Sequence, residues 1–122
     1  MKLNYPKLFF YVWIIGIGVV TYFSLTPVNH SPDLGFLVYD KILHLSCYFI
    51  LSVIACLAAN SWNKRYLLSF MTLLVGIGIE FLQPLTGRSF ETADMIANLF
   101  GILMAIFLVK IVLKRFPSFN SL

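Results

Sequence analysis

Charge is what this chain has least of. Asp, Glu, Lys and Arg make up 11% of its 122 residues, against roughly 25% in soluble domains. The polar stripe that every helix of a soluble bundle needs is missing as well. There is no internal repeat and no low-complexity segment. A phosphate-binding Gly loop, a serine elbow, HExxH and CxxC are all absent, which removes the familiar soluble hydrolase, nucleotide and thiol-redox chemistries. Cysteine is limited to Cys47 and Cys56. Nine residues apart on one helix, they fall on opposite faces and cannot bridge each other. They read as small buried thiols.

What is abundant is apolar. Hydrophobic residues reach 60%, and they gather into four stretches, Leu8–Leu25, Ile42–Ala59, Tyr66–Leu82 and Met95–Leu113. Each is close to the roughly 20 residues that cross a bilayer as helix. The chain is therefore expected to be all-α, a single domain over 1–122 with four transmembrane helices at about 8–25, 41–59, 65–83 and 94–114. Leu8–Leu25 is longer than a signal-peptide core, and Ser24–Thr26–Pro27 offers no small-x-small cleavage site, so it reads as an uncleaved first helix. The Pro27–Asp40 stretch reads as a long polar loop, an outer flap. Asn60–Arg65 is short enough to make the second and third helices an antiparallel hairpin. Pro84 is expected to end the third helix at Gln83. Thr92 is the expected N-cap of the fourth, with Asp94 in its first turn.

The few charges are sorted. Asp33, Asp40, Glu80, Glu91 and Asp94 fall toward one end of the stretches with His30, His44, Lys41 and Arg88. Lys2, Lys7, Lys64, Arg65, Lys110, Lys114 and Arg115 fall toward the other. The positive-inside rule reads this as a cytoplasmic N-terminus and, with four crossings, a cytoplasmic C-terminus. The net charge of +4 then reflects topology and anionic headgroups rather than nucleic acid; the expected partner is the lipid bilayer.

The acidic end also carries a pattern. Asp40, His44 and Cys47 or Tyr48 lie on one helical stripe. Thr72, Gly76, Glu80 and Gln83 lie on a second, and Asp94, Asn98, Gly101 and Ala105 on a third. His44, Glu80 and Asn98 should form a deeper layer under a rim of Asp40, Gln83 and Asp94. An ionised acid at mid-membrane costs about 2.5–3.5 kcal/mol, so Glu80 should face the bundle, meet Arg88 or His44, or contact water. Gly76 and Gly101 should let the third and fourth helices approach closely. Together these predict a polar cup over an apolar floor, with Lys41 snorkelling to headgroups.

The combined set Asp40, Lys41, His44, Tyr48, Glu80, Gln83, Arg88, Glu91, Asp94, Asn98 and Gly101 resembles the VanZ-like family of small bacterial membrane proteins, within residues 40–105. Leu45 and Ala105 depart from the family's usual Phe and Gly and leave the polar set intact. The resemblance implies a four-helix protein of the bacterial plasma membrane. It implies a cell-envelope role, the namesake being tied to low-level teicoplanin resistance, a form of antibiotic resistance.

Three functions are open to such a cup. The first is recognition of a lipid-linked envelope precursor or another membrane protein, with Arg88 and Lys41 as anion contacts. The second is a metal-assisted hydrolase or transferase on a lipid-linked substrate, with Asp40, His44, Glu80 and Asp94 as candidate metal ligands. The third, transport, is the least favoured, because the first helix has no embedded acid. No residue pattern names a cofactor or assigns a catalytic group.

Overall fold

The computed structural model describes residues 3–27 and 34–121. Lys2, His30, Asp33 and the middle of the expected outer flap, residues 28–33, lie outside them. The described residues form four long helices and no strand. They are α1 (Tyr5–Leu25), α2 (Leu34–Leu57), α3 (Trp62–Leu82) and α4 (Thr92–Arg115). Two short 3-10 turns, Gln83–Thr86 and Pro117–Ser121, follow α3 and α4. All four helices are long and apolar enough to cross a membrane.

Local sequence explains most of the ends. Asn4 caps α1 by accepting the Lys7 N–H at 3.2 Å, and Pro6 sits in its first turn, where a missing N–H costs nothing. Ser61 caps α3 through Lys64 N–H. Pro84 ends α3 as expected, converting the chain at Gln83 into a 3-10 turn. Two expectations are corrected. α2 begins at Leu34, not near residue 41, so a turn and a half of helix precedes Asp40; Asp40 and Lys41 interrupt the apolar sequence inside the helix and do not mark its start. The N-cap of α4 is Glu91, in extended conformation, and Thr92 is already helical.

Few residues separate α2 from α3, and the two helices form the expected hairpin. α2 is the hub: it meets α1, α3 and α4, and its interface with α4 is the largest in the molecule. Gly101 makes that interface possible. A Cβ built there would run into the backbone carbonyl of Leu45 and come within 3.0 Å of the Phe49 nitrogen. At Gly76 the space is taken by the Tyr48 ring, 2.8 Å from a built Cβ. The small residues were expected to bring α3 and α4 together; both instead admit α2, Gly101 its backbone and Gly76 its Tyr48 ring, with the Asn98 side chain of α4 also close to Gly76.

The outer surface is apolar, with Ile15, Phe23, Phe70, Phe81, Phe107 and many others exposed. In water such a surface would aggregate; against acyl chains it is solvated. α1 is the most peripheral helix, and Trp13 is its only buried residue. Its indole N–H donates to the Thr72 hydroxyl at 3.0 Å, and Thr72 donates to the Leu68 carbonyl at 2.9 Å. At the basic end, Arg65 is buried and donates from Nε to the Cys56 carbonyl at 3.1 Å. This cation meets the negative end of the α2 dipole. Lys110 lies over the Trp62 and Tyr66 rings there.

Candidate functional site

The three predicted stripes converge. Asp40, His44 and Tyr48 of α2, Glu80 and Gln83 at the end of α3, and Asp94 and Asn98 at the start of α4 are all buried or nearly so. The sequence spacing fixes the face of each helix; the tight α2–α4 interface brings two of those faces together.

Each member has a definite partner. His44 donates from Nδ1 to Asn98 Oδ1 at 3.1 Å. That bond leaves its Nε2 turned to two carboxylates, 3.8 Å from Asp40 Oδ2 and 3.7 Å from Asp94 Oδ2. The second oxygen of each carboxylate is held by a cation: Asp40 Oδ1 by Arg88 Nη2 at 3.5 Å, and Asp94 Oδ1 by Lys41 at 2.9 Å. Lys41 also pairs with Glu91. It therefore bridges two carboxylates inside the site, where snorkelling to headgroups was expected. Tyr48 is buried with its ring parallel to that of His44, centroids 6.4 Å apart.

Glu80 is fully buried and meets neither expected cation by hydrogen bond. Its Oε2 accepts the Glu91 backbone N–H at 3.3 Å, satisfying a donor at the start of α4 from another helix. Its Oε1 has no hydrogen-bond partner among the described residues.

Gln83 and Arg88 do something the sequence did not suggest. Gln83 Nε2 donates to the Ser24 carbonyl at 3.1 Å. Arg88 Nη1 donates to the same carbonyl at 3.1 Å and to that of Phe23 at 3.3 Å. Carbonyls in the last turn of a helix have no partner within it, and here two side chains from the α3–α4 connection supply them. Arg88 thus ties α1 to Asp40 of α2.

Beside the cluster is a cavity of about 280 Å³. One wall is α1, with Val19, Val20, Phe23 and Ser24; the other is Asp40, Leu43, His44, Cys47 and Tyr48, with Arg88 at the polar end. Phe23 and Leu43 are also exposed on the apolar surface, so the cavity adjoins the lipid-facing side. Val19, Val20, Phe23 and Leu43 were not among the expected site residues. Nothing in a run of apolar residues distinguishes a cavity wall from a lipid contact.

The expected apolar floor is not uniform. Below the cluster, Leu51, Ala55, Ile102 and Ala105 are buried, but so are Thr72, Ser52 and Ser69. Ser69 contacts the Cys56 thiol at 3.8 Å, and the Ser52 hydroxyl has no hydrogen-bond partner among the described residues. Buried hydroxyls within otherwise apolar helices carry no spacing signal of their own.

Comparison with known proteins adds a family. The family model described as VanZ/LLP1 matches residues 4–113. An uncharacterized protein of the fission yeast Schizosaccharomyces pombe is 29% identical over 108 residues, covering 84% of this chain. The chain spans 65% of that relative's length. The similarity reaches a eukaryote, so residence in a bacterial membrane rests on the resemblance alone. No solved structure matches.

Proposed function

The chain belongs to the VanZ-like family, and from that premise we propose that it is a multi-pass membrane protein that recognises a lipid-linked, phosphate-bearing ligand. The observation that carries this reading is the cavity between α1 and α2. It is apolar along α1 and polar at the end formed by Asp40, His44 and Arg88, which matches a molecule with an acyl or polyprenyl tail and a charged head. Exposed Phe23 and Leu43 at its edge suit lateral entry from the bilayer. Under the positive-inside rule the polar end faces outward and both termini lie in the cytoplasm. In a bacterial envelope the ligand would be a lipid-linked precursor, and low-level glycopeptide resistance would follow from its capture. The fission-yeast relative supports a head common to bacterial and eukaryotic lipids, such as a phosphate, over one special to a bacterial wall.

Cys47 offers a direct test, because it lines the cavity and is half-buried. In a Cys56→Ser background, a membrane-permeant maleimide should label Cys47 slowly in native membranes and faster after delipidation. Adding back a polyprenyl phosphate should restore protection, and Arg88→Ala should remove it. Equal labelling in every condition would reject the reading.

A further inference from the structure

We propose that Asp40, His44 and Asp94 hold one divalent first-row metal ion, whose free coordination positions face the cavity and bind the ligand's phosphate. The ligand half of this inference rests on the function proposed above; the ion half rests on geometry alone.

The histidine is prepared for it. With Nδ1 donating to Asn98 at 3.1 Å, the neutral ring keeps its lone pair on Nε2, and a hydrogen bond at the other nitrogen is how metal-binding imidazoles are usually fixed. The spacing agrees. Nε2 lies 3.8 and 3.7 Å from the two carboxylate oxygens, beyond the roughly 2.7–3.2 Å of a nitrogen–oxygen hydrogen bond. Three donors each about 2.1 Å from a shared ion stand roughly that far apart. In the group Asp40, His44 and Asp94, one ligand atom from each residue lies within 4.8 Å of the others. The remaining oxygen of each aspartate is held from outside by Arg88 or Lys41, which aims the free oxygens at His44.

Charge balance gives an independent reason. Asp40, Glu91 and Asp94 are three carboxylates facing two cations, Lys41 and Arg88. A net negative charge is left beside the fully buried Glu80, in a largely buried cluster where unpaired charge is costly. A cation held among these groups lowers that cost. The fully buried Glu80, with Oε1 unpartnered among the described residues, sits beside the same cluster.

One imidazole with two carboxylates suits Zn²⁺ or Mn²⁺ better than Mg²⁺ or Ca²⁺, which take oxygen alone. Three protein ligands leave at least one position open, as in sites where a zinc ion meets a substrate. Asp40 and His44 both line the cavity, so an incoming phosphate oxygen would complete the coordination.

The test uses the full chain purified in detergent, stripped with chelator and titrated with Zn²⁺ or Mn²⁺ by calorimetry, with metal content measured after dialysis. One ion per chain is expected. His44→Ala and Asp94→Asn should each weaken it at least 100-fold, and Asn98→Ala by about 10–100-fold. Lys110→Ala, at the opposite end, should bind as wild type. Helical circular dichroism and a single elution peak check that each variant folds, and the visible spectrum of bound Co²⁺ should change in Asn98→Ala. A wild type that binds no ion at sub-millimolar metal, or a folded His44→Ala that binds as wild type, overturns the ion site. Cys47 protection by polyprenyl phosphate that survives in ion-free protein overturns the ion's part in the ligand while the proposed function stands. Ion binding without such protection overturns that function and leaves the ion site.

Discussion

Arg88 gives one guanidinium nitrogen to carbonyls of α1 and the other to a carboxylate of α2. A single hydrogen bond between membrane helices is worth about 0.6 kcal/mol on average, so no one of these bonds holds α1 in place. Together with the Asp40 charge they matter more, because removing one partner of a buried pair leaves the other uncompensated. Arg88→Ala is therefore expected to destabilise the chain by about 2 kcal/mol, seen as a lower thermal midpoint in detergent. Arg88→Lys should recover less than half, since a point charge cannot reproduce the fork. A midpoint unchanged in Arg88→Ala would show that α1 is held elsewhere. At this scale the sequence was informative about which residues mattered and poor about their partners. Spacing of three and four put Asp40 with His44 and Asp94 with Asn98 on common faces. It could not tell that Arg88 would choose Asp40 over Glu80, or that Lys41 would turn inward to Glu91 and Asp94. Those choices depend on where neighbouring helices end.

The helices differ in how firmly they are placed. α2 and α4 meet at Gly101 with backbone against backbone, a contact that admits no side chain. Overfilling a packed interior costs about 1–3 kcal/mol when side chains can yield; backbone cannot, so Gly101→Val should exceed that range and yield little monodisperse protein. Gly78→Val is the matched control, with nothing near a Cβ built there, and should purify normally. Equal behaviour of the two variants would mean that the α2–α4 contact is not tight. α1, in contrast, is tied to the bundle by hydrogen bonds at Trp13 and in its last turn, with Gly16 set against Leu51 between them. Trp13→Phe keeps the ring and loses the bond to Thr72, and it should speed maleimide labelling of Cys47 by opening the cavity's α1 wall; an unchanged rate would contradict that role. The four crossings were legible because each is a continuous apolar run. The early start of α2 was not, because Asp40 and Lys41 interrupt the apolar run and make Leu34–Tyr39 look separate from the helix that follows.

Across the whole molecule, charge runs from the acidic cluster at one end to Lys64, Arg65, Lys110, Lys114 and Arg115 at the other. A reporter enzyme active only outside the cytoplasm should be inactive when fused to the C-terminus and active when inserted beside Gly87. The reverse result would invert the proposed orientation and turn the cavity inward. Orientation, cavity and cluster together make one claim, that the polar end receives the head of an amphipathic lipid. Native mass spectrometry of the chain extracted gently from its own membrane tests it most directly. The account predicts one phosphate-bearing lipid retained per chain, lost in Arg88→Ala and retained in Lys110→Ala. A chain that flies with no lipid, or with a mixture indifferent to both substitutions, would contradict it.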